Sequence, residues 1–296
     1  MREFSHLTGI AIGSAVIALT AGGFALTPAG VVGPPGRPAG VTWPHAAQAR
    51  IRLGSIQPGI PMRRARNQLP SPGTPTARGT SVNSTNWAGY AATNPSRSFR
   101  SVTATFFVPY VNCAATPGTF SAHWVGLDGF DTSTVEQTGV LAACLGSSPS
   151  YAAWYEMFPR FPVYPHITVR PGDAIVVSVG YRKSSNRFVL SLADTSNGRH
   201  FSRSLACPGG STCHRASAEI ISEAPGSDGG ILPLTDFRAL SFAGVRLSDQ
   251  SGFTGTLRAG KWTTARIVNV GGGNVLDQPT QLFRGAAFDT YWMRSS

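Results

Sequence analysis

Apolar and polar positions alternate along most of the last two thirds of this chain, in runs too short for amphipathic helices. SVTATFFVP (101–109), HITVR (166–170), AIVVSVGY (174–181), RFVLSLAD (187–194), ALSFAGVRL (239–247) and RIVNV (266–270) each follow the two-residue period of a half-buried strand. Turn chemistry separates them: Pro171-Gly172-Asp173 and Ser196-Asn197-Gly198 are hairpin-type turns. A further unit, WVGLDGFDTSTVEQ (Trp124–Gln137), opens as a strand, turns at Asp128-Gly129 and re-enters a β-branched run. Trp87, in SVNSTNWAGYAA, is expected in the core. There is no repeat and no alternation of strands with helices. The pattern predicts an all-β fold, one antiparallel two-sheet β-sandwich with six or seven strands in each sheet.

Composition agrees. The 296 residues include 34 Gly and 22 Pro, and only 13% are charged. Long surface helices need more Glu and Lys and fewer breakers. The net charge of +11 is uneven. Residues 1–80 hold eight Arg and one acid; the remainder holds 17 basic and 13 acidic residues, a balance of +4. The basic N-terminal part lacks the interleaved aromatics or heptads of a nucleic-acid arm, so no nucleic-acid partner is expected. Residues 1–29 read as a signal peptide, with an apolar run over Ile10–Leu26 and small-x-small sites at Gly23-Phe24-Ala25 and Ala47-Gln48-Ala49. That run is short for a membrane span, so the expectation is secretion without stable membrane association after processing. Residues 30–80, rich in Pro, Gly, Ala and Arg, read as a propeptide or disordered linker, with Arg63-Arg64-Ala65-Arg66 as a processing point. The β-sandwich domain is expected over 81–296, as a monomer. The four cysteines form no CxxC pair. In a secreted chain they predict two disulfides, and proximity favours Cys113–Cys144 and Cys207–Cys213 among three possible pairings.

The common catalytic constellations are missing. There is no GxSxG, HExxH, Walker loop or dinucleotide fingerprint, and no Cys ligand set. His123 has no partner at ligand spacing, so neither a metal nor a cofactor is expected. Asp131-Thr132-Ser133 fails the aspartic-peptidase pattern at its third residue. What stands out is carboxylates in apolar strands: Glu219 and Glu223 in SAEIISEAP, and Glu156 in YAAWYEMFP. Glu219 and Glu223 share a strand face but lie about 13 Å apart, beyond either glycosidase spacing. Glu136 and Gln137 point to opposite faces, so only one of them can join a site with Glu223. A carboxylate beside a neutral amide suits water attack on a carbonyl: the first removes a proton and the second donates to the oxyanion.

WVGLDG, EQTGV, YAAWYEMFP and AEIISE, in that order, resemble the eqolisins, the glutamic peptidases, whose fungal members read close to WVGIDG, LQTGVD, YDAWYEWYP and AEWIVE. NWAGY (Asn86–Tyr90) resembles the start of their mature chain, and the likeness extends over about residues 84–290. It implies a lectin-like (concanavalin A-like jelly-roll) β-sandwich and a secreted endopeptidase, active at acid pH, whose partners are protein or peptide substrates. By position in the motifs, the catalytic pair falls on Gln137 and Glu223. Trp124, Asp128, Trp154 and Glu156 fall on residues that line or support the site. The chain departs from the fungal pattern at Leu141, Ile220 and Ala224-Pro225, and its domain is less acidic, so a milder acid optimum is expected. A basic propeptide covering an acidic groove is a further expectation. Two rivals remain open at this point: a non-catalytic, lectin-like carbohydrate-binding or adhesive module, and a glycoside hydrolase using Glu156 and Glu223.

Overall fold

The computed structural model describes residues 55–66, 79–94 and 99–296. The expected leader, its cleavage sites and most of the 30–80 stretch lie outside these residues. The strands, in chain order, are β1 (Gly79–Ser84), β2 (Trp87–Thr93), β3 (Phe99–Phe107), β4 (Phe120–Leu127), β5 (Val135–Leu145), β6 (Ser148–Phe158), β7 (Ala174–Arg182), β8 (Arg187–Asp194) and β9 (His200–Leu205). They continue with β10 (Ser217–Glu223), β11 (Gly226–Ser227), β12 (Gly230–Ile231), β13 (Ala239–Asp249), β14 (Thr254–Gly255), β15 (Thr263–Gly271), β16 (Asn274–Pro279) and β17 (Phe288–Trp292). No α-helix occurs among the described residues.

Hydrogen bonds link thirteen strands in the order β6-β5-β4-β10-β2-β15-β16-β17-β13-β3-β7-β8-β9, with β1 beside β15 and β14 beside β13. Pairing is antiparallel except for β1 on β15. The sheet folds over at β16 and β17, so that β4, β5 and β10 face β3, β7 and β8 across one core. Val125, Leu127, Val140 and Ile220 from the first layer meet Phe106, Ile175, Val177 and Leu190 from the second. The all-β sandwich expected from the alternation is the fold observed.

The two layers bury differently. β7 and β8 alternate between buried and more exposed positions, one face on the core and one toward solvent. β4 and β10 are buried at every position. Their second face carries its own apolar cluster, built on Trp87, Phe120, Trp124, Val135, Trp154 and Ile221 and closed by Ile56. One expected strand is absent. HITVR forms no strand, because Pro165 and Pro171 bracket it and withhold the ladder donors a strand needs. Pro171-Gly172-Asp173 does turn, but it leads into β7, whose neighbours are β3 and β8; the Ser196-Asn197-Gly198 turn joins the hairpin β8–β9. The disulfides are Cys113–Cys144, tying the loop after β3 to β5, and Cys207–Cys213, closing the loop before β10.

Candidate active site

The covered face of the first layer collects the chemistry. On β5, Gln137 faces this side and Glu136 the other, as the strand period requires. Gln137 stands opposite Gly126 of β4, which stands opposite Glu219 of β10. Glu223, four residues along β10, stands opposite Ala122. Gln137 and Glu223 are thus offset by two strands and four residues, and their side chains converge over Trp124.

Glycines make that convergence possible. A Cβ on Gly126 would lie 2.9 Å from the Trp124 ring and 3.2 Å from Gln137 Cβ. Without one, the indole lies over the strand and its Nε1 donates to Glu223 Oε2 at 2.7 Å. At Gly139 a Cβ would run into the His123 carbonyl and the Trp124 backbone. The glycines of WVGLDG and EQTGV therefore have a steric cause. Trp87 packs edge-on against Trp124, ring centroids 5.0 Å apart.

Gln137 and Glu156 are paired across β5 and β6, and Gln137 Nε2 donates to Glu156 Oε2 at 2.7 Å. Asn86, just before β2, places its amide 3.5 Å from Glu223 Oε1. Burial pushes both carboxyls well above the usual range. For Glu223 the donors Trp124 and Asn86 oppose this; for Glu156 the charge of Glu223 adds to it.

Four of the residues singled out from the sequence therefore meet here: Gln137, Glu223, Trp124 and Glu156. Trp154 is buried on the same face, paired with Gly139, and its Nε1 has no hydrogen-bond partner. Asp128 lies elsewhere. Its carboxylate accepts from Arg215 N (2.6 Å) and Ala216 N (2.8 Å), fixing the chain that enters β10, and its φ of 69° makes the turn out of β4. Glu219 lies on the same face as Gln137 and Glu223, fully buried, and burial pushes its carboxyl well above the usual range. His123, on the opposite face, sits between Ser121 (3.2 Å) and Ser222 (3.0 Å), and burial lowers its pKa to about 3. Among the described residues no group of three His, Cys, Asp or Glu could hold a metal ion.

The reading of single residues missed two contributors, Asn86 and Gly59, and took Trp87 for core alone. The signal for Asn86 and Trp87 was the NWAGY motif; Gly59 gave none. Residues 55–66 cross the covered face as a strap. Gln57 pairs with Gly226 through two backbone bonds, 2.8 and 2.9 Å. Ile56 is fully buried, which contributes on the order of 1.5–3 kcal/mol. Tyr164 Oη donates to Ile56 O at 3.2 Å. Gly59 N donates to Glu223 Oε2 at 2.5 Å, and Gln137 Nε2 donates to Gly59 O. Ile60 O accepts from Trp87 Nε1 (3.0 Å) and Asn86 Nδ2 (3.3 Å), and Pro61 O from Asn86 Nδ2 (3.2 Å). Met62 N donates to Gly129 O, and Arg63 N to Asn86 Oδ1. The face is a groove that holds the strap, turned at Pro58-Gly59, by its main chain.

Similarity to known proteins agrees with this geometry. The model of the Peptidase A4 family matches residues 85–280, which include every groove residue named except the strap. Scytalido-glutamic peptidase, solved with a peptide-based transition-state analogue, superposes with a TM-score of 0.60 at 22% identity, covering 71% of this chain and 98% of that one. SCP-B, an eqolisin in complex with the tripeptide Ala-Ile-His, gives 0.58 at 22% identity with the same coverage. Aspergilloglutamic peptidase from Aspergillus niger gives 0.52 at 23%, covering 59% and 99%. No curated protein sequence matches the chain. The family match spans most of the folded part and the fold is the one those peptidases share, so this chain belongs to the Peptidase A4 family, the eqolisins, and is an endopeptidase of the glutamic type.

Proposed function

We propose that the chain is a secreted endopeptidase that cleaves peptide bonds at acid pH with Gln137 and Glu223 as its catalytic pair. One observation carries the reading: the two side chains close on a single residue of the strap, Gln137 at the carbonyl oxygen of Gly59 and Glu223 at the Gly59 N–H, one on each of two successive peptide units.

With a substrate in that place, Glu223 as carboxylate takes a proton from water, and the water oxygen bonds to the carbonyl carbon. The Gln137 amide N–H donates to the oxyanion that forms. Glu223 then gives the proton to the leaving nitrogen, the C–N bond breaks, and a carboxylic acid and an amine depart. Glu156 holds the Gln137 amide in this orientation, and the Trp124 N–H holds Glu223 while favouring its charged form. Because burial raises Glu223, the carboxylate is available only at milder acidity than for an ordinary Glu, in keeping with a moderate acid optimum. The two disulfides and the apolar leader support secretion.

The test is cleavage of an unstructured protein from pH 2 to 8 by wild type, Gln137→Ala and Glu223→Gln, with serine-, metallo- and aspartic-peptidase inhibitors in parallel. Gln137→Ala should cost roughly 3–4 kcal/mol of barrier, a factor of 10²–10³, and Glu223→Gln more. Cleavage that survives both substitutions would place the chemistry elsewhere.

A further inference from the structure

Where β3 begins and β7 ends, the sandwich leaves a cavity of about 470 Å³ that shares no residue with the groove. Arg100 on β3, Arg182 at the end of β7, Lys183 in the turn to β8 and Arg215 in the chain entering β10 line it, with Tyr181 and Gln250. Among the described residues its lining therefore holds four cations and no carboxylate. The two ion pairs among the described residues, Arg64–Asp131 and Arg238–Asp236, involve none of the four. Asp249, next to Gln250, is turned into its own loop, where its Oδ1 accepts from Ser251 N (2.9 Å), Ser251 Oγ (2.6 Å) and Phe253 N (3.1 Å). Arg182 also stands opposite Arg187 across the β7–β8 hairpin, a like-charge pairing that costs stability.

Arg215 is built into this position. Its φ of 53° is a left-handed conformation that side-chain-bearing residues rarely adopt, and such strain persists only where the surroundings enforce it. Asp128 accepts from the Arg215 amide N–H (2.6 Å), not from its side chain, and Phe99 N donates to the Arg215 carbonyl (3.1 Å). The guanidinium lies over the Tyr181 ring, 4.0 Å from its centroid, and one of its nitrogens reaches Phe99 O at 3.5 Å. Tyr181 is fixed in turn. Its hydroxyl donates to Asn186 Oδ1 at 2.8 Å, and its ring packs against Phe188, centroids 5.2 Å apart. Stacking holds the flat face of the guanidinium and leaves N–H donors along its edge.

We propose that this cavity is a second binding site, which takes a compact ligand carrying two or more linked phosphate groups. Guanidinium forks match phosphate oxygens in pairs, and a lysine adds a point charge. The volume falls within the range of small-ligand sites and exceeds what one oxyanion fills. Phosphate is favoured over carboxylate by the acid working range proposed above. A carboxylate loses its charge near about pH 4, whereas a phosphate keeps its first charge through that range. The same chemistry is offered by free polyphosphate and by the phosphate chain of a nucleotide. Only this choice of anion rests on the acid range; the cavity and its cations stand apart from the assignment of Gln137 and Glu223.

Titration calorimetry on the full chain tests this, at about pH 4.5 and roughly 50 mM salt, where screening is modest. The probes are tripolyphosphate, a nucleoside triphosphate, orthophosphate and citrate. The variants are Arg100→Gln/Lys183→Gln in the cavity and Arg258→Gln/Arg294→Gln outside it, all exposed positions and all losing the same charge. The expected result is one tripolyphosphate per chain with a dissociation constant on the order of 10 µM, weakened at least about tenfold in the cavity variant and little changed in the other. Orthophosphate and citrate should bind at least about tenfold more weakly than tripolyphosphate. Equal affinity for the nucleoside triphosphate would show that free and carried phosphate chains are both taken; weaker binding would restrict the site to free polyphosphate. No saturable binding would overturn the proposal. So would an equal loss in both variants, which would mean attraction to the net charge of +11 alone, or citrate binding as tightly as tripolyphosphate. Peptide hydrolysis is not the readout, so a failure of the peptidase reading leaves this result standing.

Discussion

Trp124→Phe isolates one hydrogen bond of the proposed machinery. The indole Nε1 sits 2.7 Å from Glu223 Oε2, and phenylalanine keeps an aromatic ring against Trp87 while deleting the donor. A buried hydrogen bond to a charged acceptor is worth about 1.5–3 kcal/mol. The donor favours the carboxylate, so its loss moves the Glu223 pKa further upward. The base is then protonated over a wider acid range. The acid limb of kcat/KM against pH should shift to higher pH. At pH values below the limb the loss should reach about 10- to 150-fold, shrinking above it, where Glu223 is ionised in both enzymes. The assay is kcat/KM from pH 2 to 8 on a short peptide, for the native chain and Trp124→Phe. A drop of equal size at every pH would mean that Trp124 acts through packing alone, and an unchanged profile would refute the link between the indole and the base.

Other outcomes follow from burial and loop closure. Asp277 is fully buried beside Asn269 and its pKa is raised from 3.8 to about 8. Below pH 3.8 both the folded and the unfolded chain hold that proton. As pH rises toward 8 the unfolded chain loses it first, so stability falls. Asp277→Asn should therefore recover up to about 4 kcal/mol at pH 7 and almost nothing at pH 3; urea unfolding at the two pH values checks it, and an equal gain at both would contradict the burial argument. Gly126→Ala should cost roughly 1–3 kcal/mol of stability by overpacking against Trp124 and lower kcat with it, read by thermal unfolding and turnover. Replacing Cys113 and Cys144 by Ser opens a loop of sequence separation 31 and should cost about 4 kcal/mol in denaturant unfolding under oxidising conditions.

Much of this protein was present in its sequence because strand geometry is local. Alternation over 174–181 and 187–194 placed β7 and β8, because successive side chains point to opposite faces wherever the strand lies. The same rule put Glu219 and Glu223 on one face, and Gln137 opposite to Glu136. The motif order, rather than periodicity, marked Glu223 over Glu219. Local pattern failed at HITVR, where prolines outweighed the apolar rhythm.

Only the tertiary structure decided what long-range pairing decides. Gly59 meets Glu223 across 164 residues, and no local property of QPGIP distinguishes a strap over the groove from a linker. Asp128 sits within the same motif as Trp124, yet strand β4 ends between them. One side chain therefore reaches Glu223 and the other the backbone before β10. β4 and β10 are buried on both faces because a second layer lies on one side and the strap on the other. Their composition shows that they are apolar. Which face holds a groove depends on how a chain of 296 residues folds back on itself, and that is a property of the sheet order, not of any segment.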